Sequence, residues 1–90
     1  MQARMAPMAD PLAGRPVKRS LTLRGHRTSV SLEDAFWQAF RDMAQARGLG
    51  LNQLAVEIDE ARGPDTGLAT AIRLAVLRHL QAAAAAVAQG

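Results

Sequence analysis

The chain has no cysteine among its 90 residues, which excludes disulfide staples, thiolate zinc sites and cysteine nucleophiles. No apolar run approaches the roughly 20 residues needed to span a bilayer. The opening MQARMAPMADPLAG has no apolar stretch of the kind a secretory signal needs, so a cytoplasmic protein is expected. A Gly-rich phosphate loop and a nucleophile constellation are also missing. His79 has only His26 as a possible imidazole partner, and the two fall in different elements, so no metal site and no cofactor are expected. These absences leave no catalytic residues and no small-molecule substrate to propose.

What is present is one small domain: 49% of residues are hydrophobic and 21% charged, a globular rather than a disordered composition. The net charge of +3 conceals an asymmetry. Residues 1–32 carry Arg4, Arg15, Lys18, Arg19, Arg24 and Arg27 against Asp10 alone. Residues 33–90 carry five Lys/Arg against seven Asp/Glu. A basic N-terminal segment on a mildly acidic body points to a polyanionic partner, nucleic acid first, or to a solubilising tail.

Residues 1–17, with Pro7, Pro11, Gly14 and Pro16, read as a flexible basic arm. From Lys18 the period is two: Leu21 and Leu23 alternate with Ser20, Thr22 and Arg24. Thr28, Val30 and Leu32 alternate with Arg27, Ser29 and Ser31. A type II′ turn at Gly25-His26 is expected to join the two runs as a hairpin. It pairs Arg24 with Arg27, Leu23 with Thr28 and Leu21 with Val30. One face then holds Leu21, Leu23, Thr28, Val30 and Leu32; the other holds Lys18, Ser20, Thr22, Arg24, Arg27, Ser29 and Ser31. Arg24 opposite Arg27 is a like-charge pair that an anion would relieve.

At Ser31 the period becomes helical, with Ser31 as N-cap and Glu33 and Asp34 in the first turn. Phe36, Phe40, Met43 and Ala44 recur at helical spacing with Trp37 beside them, as far as about Arg47, and Gly48 stops the helix. A second helix runs from about Leu51 to Ala61 and ends at Gly63-Pro64. A third, capped by Asp65 or Thr66, carries Leu68, Ile72, Val76 and Leu80 as one stripe, with Leu74 and Leu77 alongside. Residues 81–90 form an Ala-rich helical extension or tail expected to fray. No internal repeat is visible along the chain. The third helix is apolar around more than half its circumference, more than two short helices and one hairpin can cover, so an obligate homodimer is expected.

The order of basic arm, polar-faced strand, helix, Gly turn and helix, in RTSVSLEDAFWQAFRDMAQARGLGLNQLAVEI, resembles the ribbon-helix-helix family of bacterial and phage DNA-binding proteins, the Arc and MetJ type. The match covers about residues 26–61. With AIRLAVLRHL behind it, the chain is similar to a short-protein branch with an added third helix. The resemblance implies a mainly α fold with a short N-terminal ribbon, residues 18–80 as the domain, and an intertwined homodimer.

In such a dimer two strands, one from each chain, enter the DNA major groove. The resemblance then gives Arg27, Ser29 and Ser31 as base readers. It gives the backbone N–H groups of Gly50, Leu51 and Asn52 as a helix-terminal phosphate anchor, and, taken with the basic charge of the N-terminal segment, Lys18, Arg19 and Arg24 are expected as phosphate contacts. Thr28, Val30, Leu32, Phe36, Trp37, Phe40, Leu54 and Ile58 are expected as the dimer core. A transcriptional repressor or autoregulator, acting at the nucleoid, is the function implied.

Two departures stand out. Gly50 occupies a position where Ser or Thr is common, and the segment Lys18–Arg24 adds a strand. Two strands ~4.8 Å apart fit a groove about 12 Å wide, whereas four span roughly 14 Å before side chains are counted. The alternative function is therefore a homo-oligomeric interaction module that no longer reads DNA by this route. Among single residues, Trp37 reads as core rather than a stacking platform, His26 as a solvated turn residue, and Glu57, Asp59 and Glu60 as a solvated helix face.

Overall fold

A computed structural model of the protein describes residues 14–89. Strands β1 (Val17–Leu23) and β2 (His26–Leu32) form an antiparallel hairpin, followed by helices α1 (Asp34–Ala46), α2 (Leu51–Ala61) and α3 (Leu68–Gln89). This is the expected ribbon, two helices and third helix. Most of the basic arm lies outside the described residues, and its last member, Val17, already belongs to β1.

The hairpin pairs Val17 with Leu32, Ser20 with Ser29 and Leu23 with His26. The turn is Arg24-Gly25, with φ of 51° and 80°, rather than Gly25-His26. Two successive positive φ values match the type I′ turn, whose twist suits the flanking strands. His26 is accordingly the first residue of β2, and Thr22, not Arg24, faces Arg27. The register has moved by two residues, an even shift that leaves the occupants of each face unchanged. Leu21, Leu23, Val30 and Leu32 are buried beneath the sheet. Thr28 shares that face, opposite Leu21, but is exposed.

Ser31 remains in β2, and Glu33 rather than Ser31 is the N-cap of α1. The helix ends as its glycine requires: Gly48 has φ of 68°, its N–H donates to the Gln45 carbonyl at 3.0 Å, and the Leu49 N–H donates to Ala44 at 2.9 Å. That pair of bonds is the Schellman closure. The residue before α3 is Gly67 rather than Asp65 or Thr66, and the Ala71 N–H reaches the Gly67 carbonyl at 2.9 Å.

The core lies between the underside of the hairpin and the three helices. Leu32, Phe40, Leu54 and Ile72 are fully buried and Val76 nearly so, all within one chain. The residues expected to cement a dimer, Val30, Leu32, Phe40, Leu54 and Ile58, are thus buried in a single protomer, while Phe36 and Trp37 are half-buried. Helix α2 packs against β1, and α3 packs against β2, α1 and α2, so this core closes within one chain around the inner side of α3. Its other side stays open, with Leu74, Leu77 and Leu80 exposed. Residues 68–88 are also long and apolar enough to cross a membrane, contrary to the expectation from sequence. Much of that apolarity is alanine, and Ile72 and Val76 are committed to the core.

Candidate nucleic-acid interface

Alternation in a seven-residue strand sends every second side chain to the same side. The outer face of the hairpin therefore carries Lys18, Ser20 and Thr22 from β1 and Arg27, Ser29 and Ser31 from β2, all exposed. None is apolar and none is acidic. Among the described residues, no carboxylate lies within ion-pair distance of Lys18 or Arg27. Lys18 faces Ser31 and Arg27 faces Thr22, so the two cations occupy diagonally opposite corners with the Ser20–Ser29 pair between them. Four hydroxyls and two cationic heads can donate to phosphate or base edges, and the hydroxyls can also accept.

Arg19 and Arg24 are placed differently. Arg19 is on the inner face, its guanidinium 5.4 Å from the Trp37 ring centre and 3.1 Å from Asp34. Its Nε is buried without a partner. Arg24 turns away from the sheet surface to meet Asp59 at 3.3 Å and Glu60 at 2.9 Å on α2. Glu60 and then Asp59 hold the Arg24 guanidinium above its usual pKa. The two acids expected as a solvated face thus hold the hairpin tip, and Asp59 also accepts from Arg62 at 2.8 Å. Arg62 and then Arg24 keep the Asp59 carboxyl below the ordinary range. Glu57 is paired instead with Arg47 at 2.6 Å, which lowers its pKa.

At the α2 N-terminus the Gly50 N–H donates to Gln53 Oε1 at 2.7 Å. A side chain at position 50 would crowd this contact, since a Cβ there falls 3.1 Å from Oε1. Gln53 therefore makes one half of a capping box, covering the Gly50 N–H, while the other half, a hydroxyl at position 50 accepting from the first helical N–H groups, is not made by glycine. The N–H groups of Leu51 and Asn52 keep no intrahelical acceptor, as at any helix start. The Asn52 side chain is engaged, its Oδ1 accepting the Thr22 N–H at 3.0 Å.

Sequence reasoning passed over Arg73 on α3. Its Nε donates to Glu33 at 2.9 Å and its Nη2 to the Ser31 carbonyl at 3.2 Å. The Glu33 carboxyl is held low, first by its own backbone amide and then by Arg73. No local pattern announces a residue that acts 42 positions from its partner. Ser20 and Thr22 were assigned to the outer face but to no role.

Among the described residues, no group of three His, Cys, Asp or Glu could hold a metal. No curated protein and no solved structure gives a significant match to the chain. The family model described as the ribbon-helix-helix domain matches residues 16–80, which take in the hairpin, α1, α2 and the first part of α3. The chain belongs to the ribbon-helix-helix family, whose members are in general dimeric, DNA-binding regulators of transcription rather than enzymes.

Proposed function

We propose that this protein is a sequence-reading DNA-binding regulator, a repressor or autoregulator acting at the nucleoid, whose outer hairpin face enters the major groove. The observation that carries this reading is that face: six exposed polar residues, with two cations and no carboxylate, backed by a buried apolar underside. Arg27, Ser29 and Ser31 read bases. The charge of Lys18 adds to attraction for the backbone, and the free N–H groups of Leu51 and Asn52 supply a phosphate anchor. Arg19 and Arg24 serve the fold rather than the phosphates, since both are spent on acids of the chain.

A specific observation favours the second reading, a protein-interaction module. All seven residues of β1 pair with β2, so a dimer joined through β2 presents four strands, roughly 14 Å across, to a groove about 12 Å wide. Binding to duplexes from the protein's own locus, measured by fluorescence anisotropy over a salt series, separates the two. The DNA reading expects one fragment to be preferred, log affinity to fall by about 0.9 per phosphate neutralised, and Arg27→Ala to relax base preference. Indifference to every fragment at about 0.1 M salt favours the interaction module.

A further inference from the structure

Superposing β1 on β2 in chain direction brings out a repeat that the unaligned sequence hides. Residues 18–23 read KRSLTL and residues 27–32 read RTSVSL. Five of six positions agree in kind: Lys18 with Arg27, Ser20 with Ser29, Leu21 with Val30, Thr22 with Ser31 and Leu23 with Leu32. Only Arg19 and Thr28 differ in character. The observed register makes this repeat a symmetry. Ser20 faces Ser29, Lys18 faces Ser31 and Thr22 faces Arg27, so a two-fold axis through the central serine pair exchanges the strands. The outer face reads cation, hydroxyl, hydroxyl along each strand.

The scaffold follows the same axis. Thr22 and Ser31 are equivalent positions, and each has its outer-edge backbone group taken by a side chain. Asn52 of α2 accepts the Thr22 N–H, and Arg73 of α3 donates to the Ser31 carbonyl. α2 stands against β1 as α3 stands against β2. The Arg73 contact occupies one end of the edge on which a second copy's β2 would pair. The apolar underside is closed without that copy: Leu21, Leu23, Val30 and Leu32 are all buried in one chain.

We infer that the hairpin is itself the complete DNA-reading ribbon, made by one chain where the family dimer uses two. This inference rests on the DNA-binding reading above and names its reading unit. A two-stranded hairpin removes the width conflict, because strands ~4.8 Å apart fit a groove about 12 Å wide. The ligand is a B-form duplex whose site is a short, imperfect inverted repeat. From Lys18 to Thr22 the strand advances about 13 Å. Each half of the site is therefore only a few base pairs long. Lys18 reads one half and Arg27 the other, each toward guanine O6 or N7. Lys18, given above only a share in attraction for the backbone, is thereby a specificity residue, equal in rank to Arg27.

The test is selection of binding sequences from a random duplex pool by the wild-type chain, Lys18→Ala and Arg27→Ala. Both substitutions are on exposed positions of the outer face, and circular dichroism checks that each variant is folded. The expected result is one-sided. Lys18→Ala loses preference in one half of the selected site and Arg27→Ala in the other, each by on the order of 10- to 100-fold. Light scattering on the shortest selected duplex should give one protomer per site. If Arg27→Ala blurs both halves together while Lys18→Ala blurs neither, the ribbon is intermolecular and the inference is overturned, with DNA reading intact. If the wild-type chain selects no sequence, the DNA-binding reading itself fails and takes the inference with it.

Discussion

Asn52 Oδ1 accepts the Thr22 N–H at 3.0 Å, and through this bond the first turn of α2 fixes the outer edge of β1. Both groups are exposed, so water replaces the carboxamide when it is removed and the net loss is that of one ordinary hydrogen bond. Asn52→Ala should destabilise the protein by about 1 kcal/mol in urea unfolding. It should also speed amide exchange at Thr22 more than at residues of β2.

Gly25 adopts φ of 80° in the hairpin turn. A Cβ there meets nothing within 4 Å, so the cost of substitution is conformational rather than steric crowding. Gly25→Ala should cost about 1–2 kcal/mol, the usual penalty of left-handed backbone for a residue with a Cβ. Thermal unfolding followed by circular dichroism measures it.

Both faces of the hairpin were legible in the sequence because period-two alternation survives any even change of register. The position of the turn was not. A type I′ turn favours Asn-Gly, and Arg24 gives no local sign that it will accept φ of 51°. It is held there by Asp59 and Glu60, whose contribution lies 35 and 36 residues away. The α2 limits were legible from Leu51 to Ala61, since glycines bracket that helix. The excess apolarity of α3 was legible as well: Ile72 and Val76 are spent on the core of the same chain, while Leu74, Leu77 and Leu80 stay exposed, the surface for which a second copy is expected. At the interface, Lys18, Arg27, Ser29 and Ser31 fell on the expected face. Arg19, expected as a phosphate contact, lies on the inner face, where alternation with Leu21 and Leu23 already put it; its partners Trp37 and Asp34 were not legible from the strand alone.

Ile72 is fully buried on α3. If α3 were an appendage, shortening this side chain would cost little. Because Ile72 belongs to the same core as Phe40 and Leu54, Ile72→Ala should lower unfolding free energy by about 2–5 kcal/mol. A single cooperative urea transition should be kept.

Arg19 lies under the sheet against Trp37 and Asp34. Arg19→Met, which keeps the packed stem and drops the guanidinium, should leave the salt dependence of DNA binding unchanged. The same change should shift Trp37 fluorescence, since a cation leaves its ring face. A salt slope smaller by about one would instead place Arg19 on a phosphate.

Acid should weaken the fold in one direction. Glu33, Glu57 and Asp59 all have carboxyl pKa values below their ordinary ones: Glu33 through its own amide and Arg73, Glu57 through Arg47, and Asp59 through Arg62 and Arg24. A carboxyl with a depressed folded pKa contributes fully above its unfolded value, about 4, and loses that contribution as pH falls through the folded value. Thermal midpoints should be level between about pH 7 and 5 and decline below about pH 4. Glu57→Gln should make that decline shallower.

The hairpin's two-fold arrangement has a hereditary consequence. When two identical chains build a ribbon, one codon specifies both halves of the contact, and any change in it strikes both at once. On a single-chain ribbon Lys18 and Arg27 are written separately. If the hairpin reads DNA as inferred above, either can be exchanged while the other still holds its half of the site. The protein and its binding sequence can then drift one half at a time, through intermediates that never lose both.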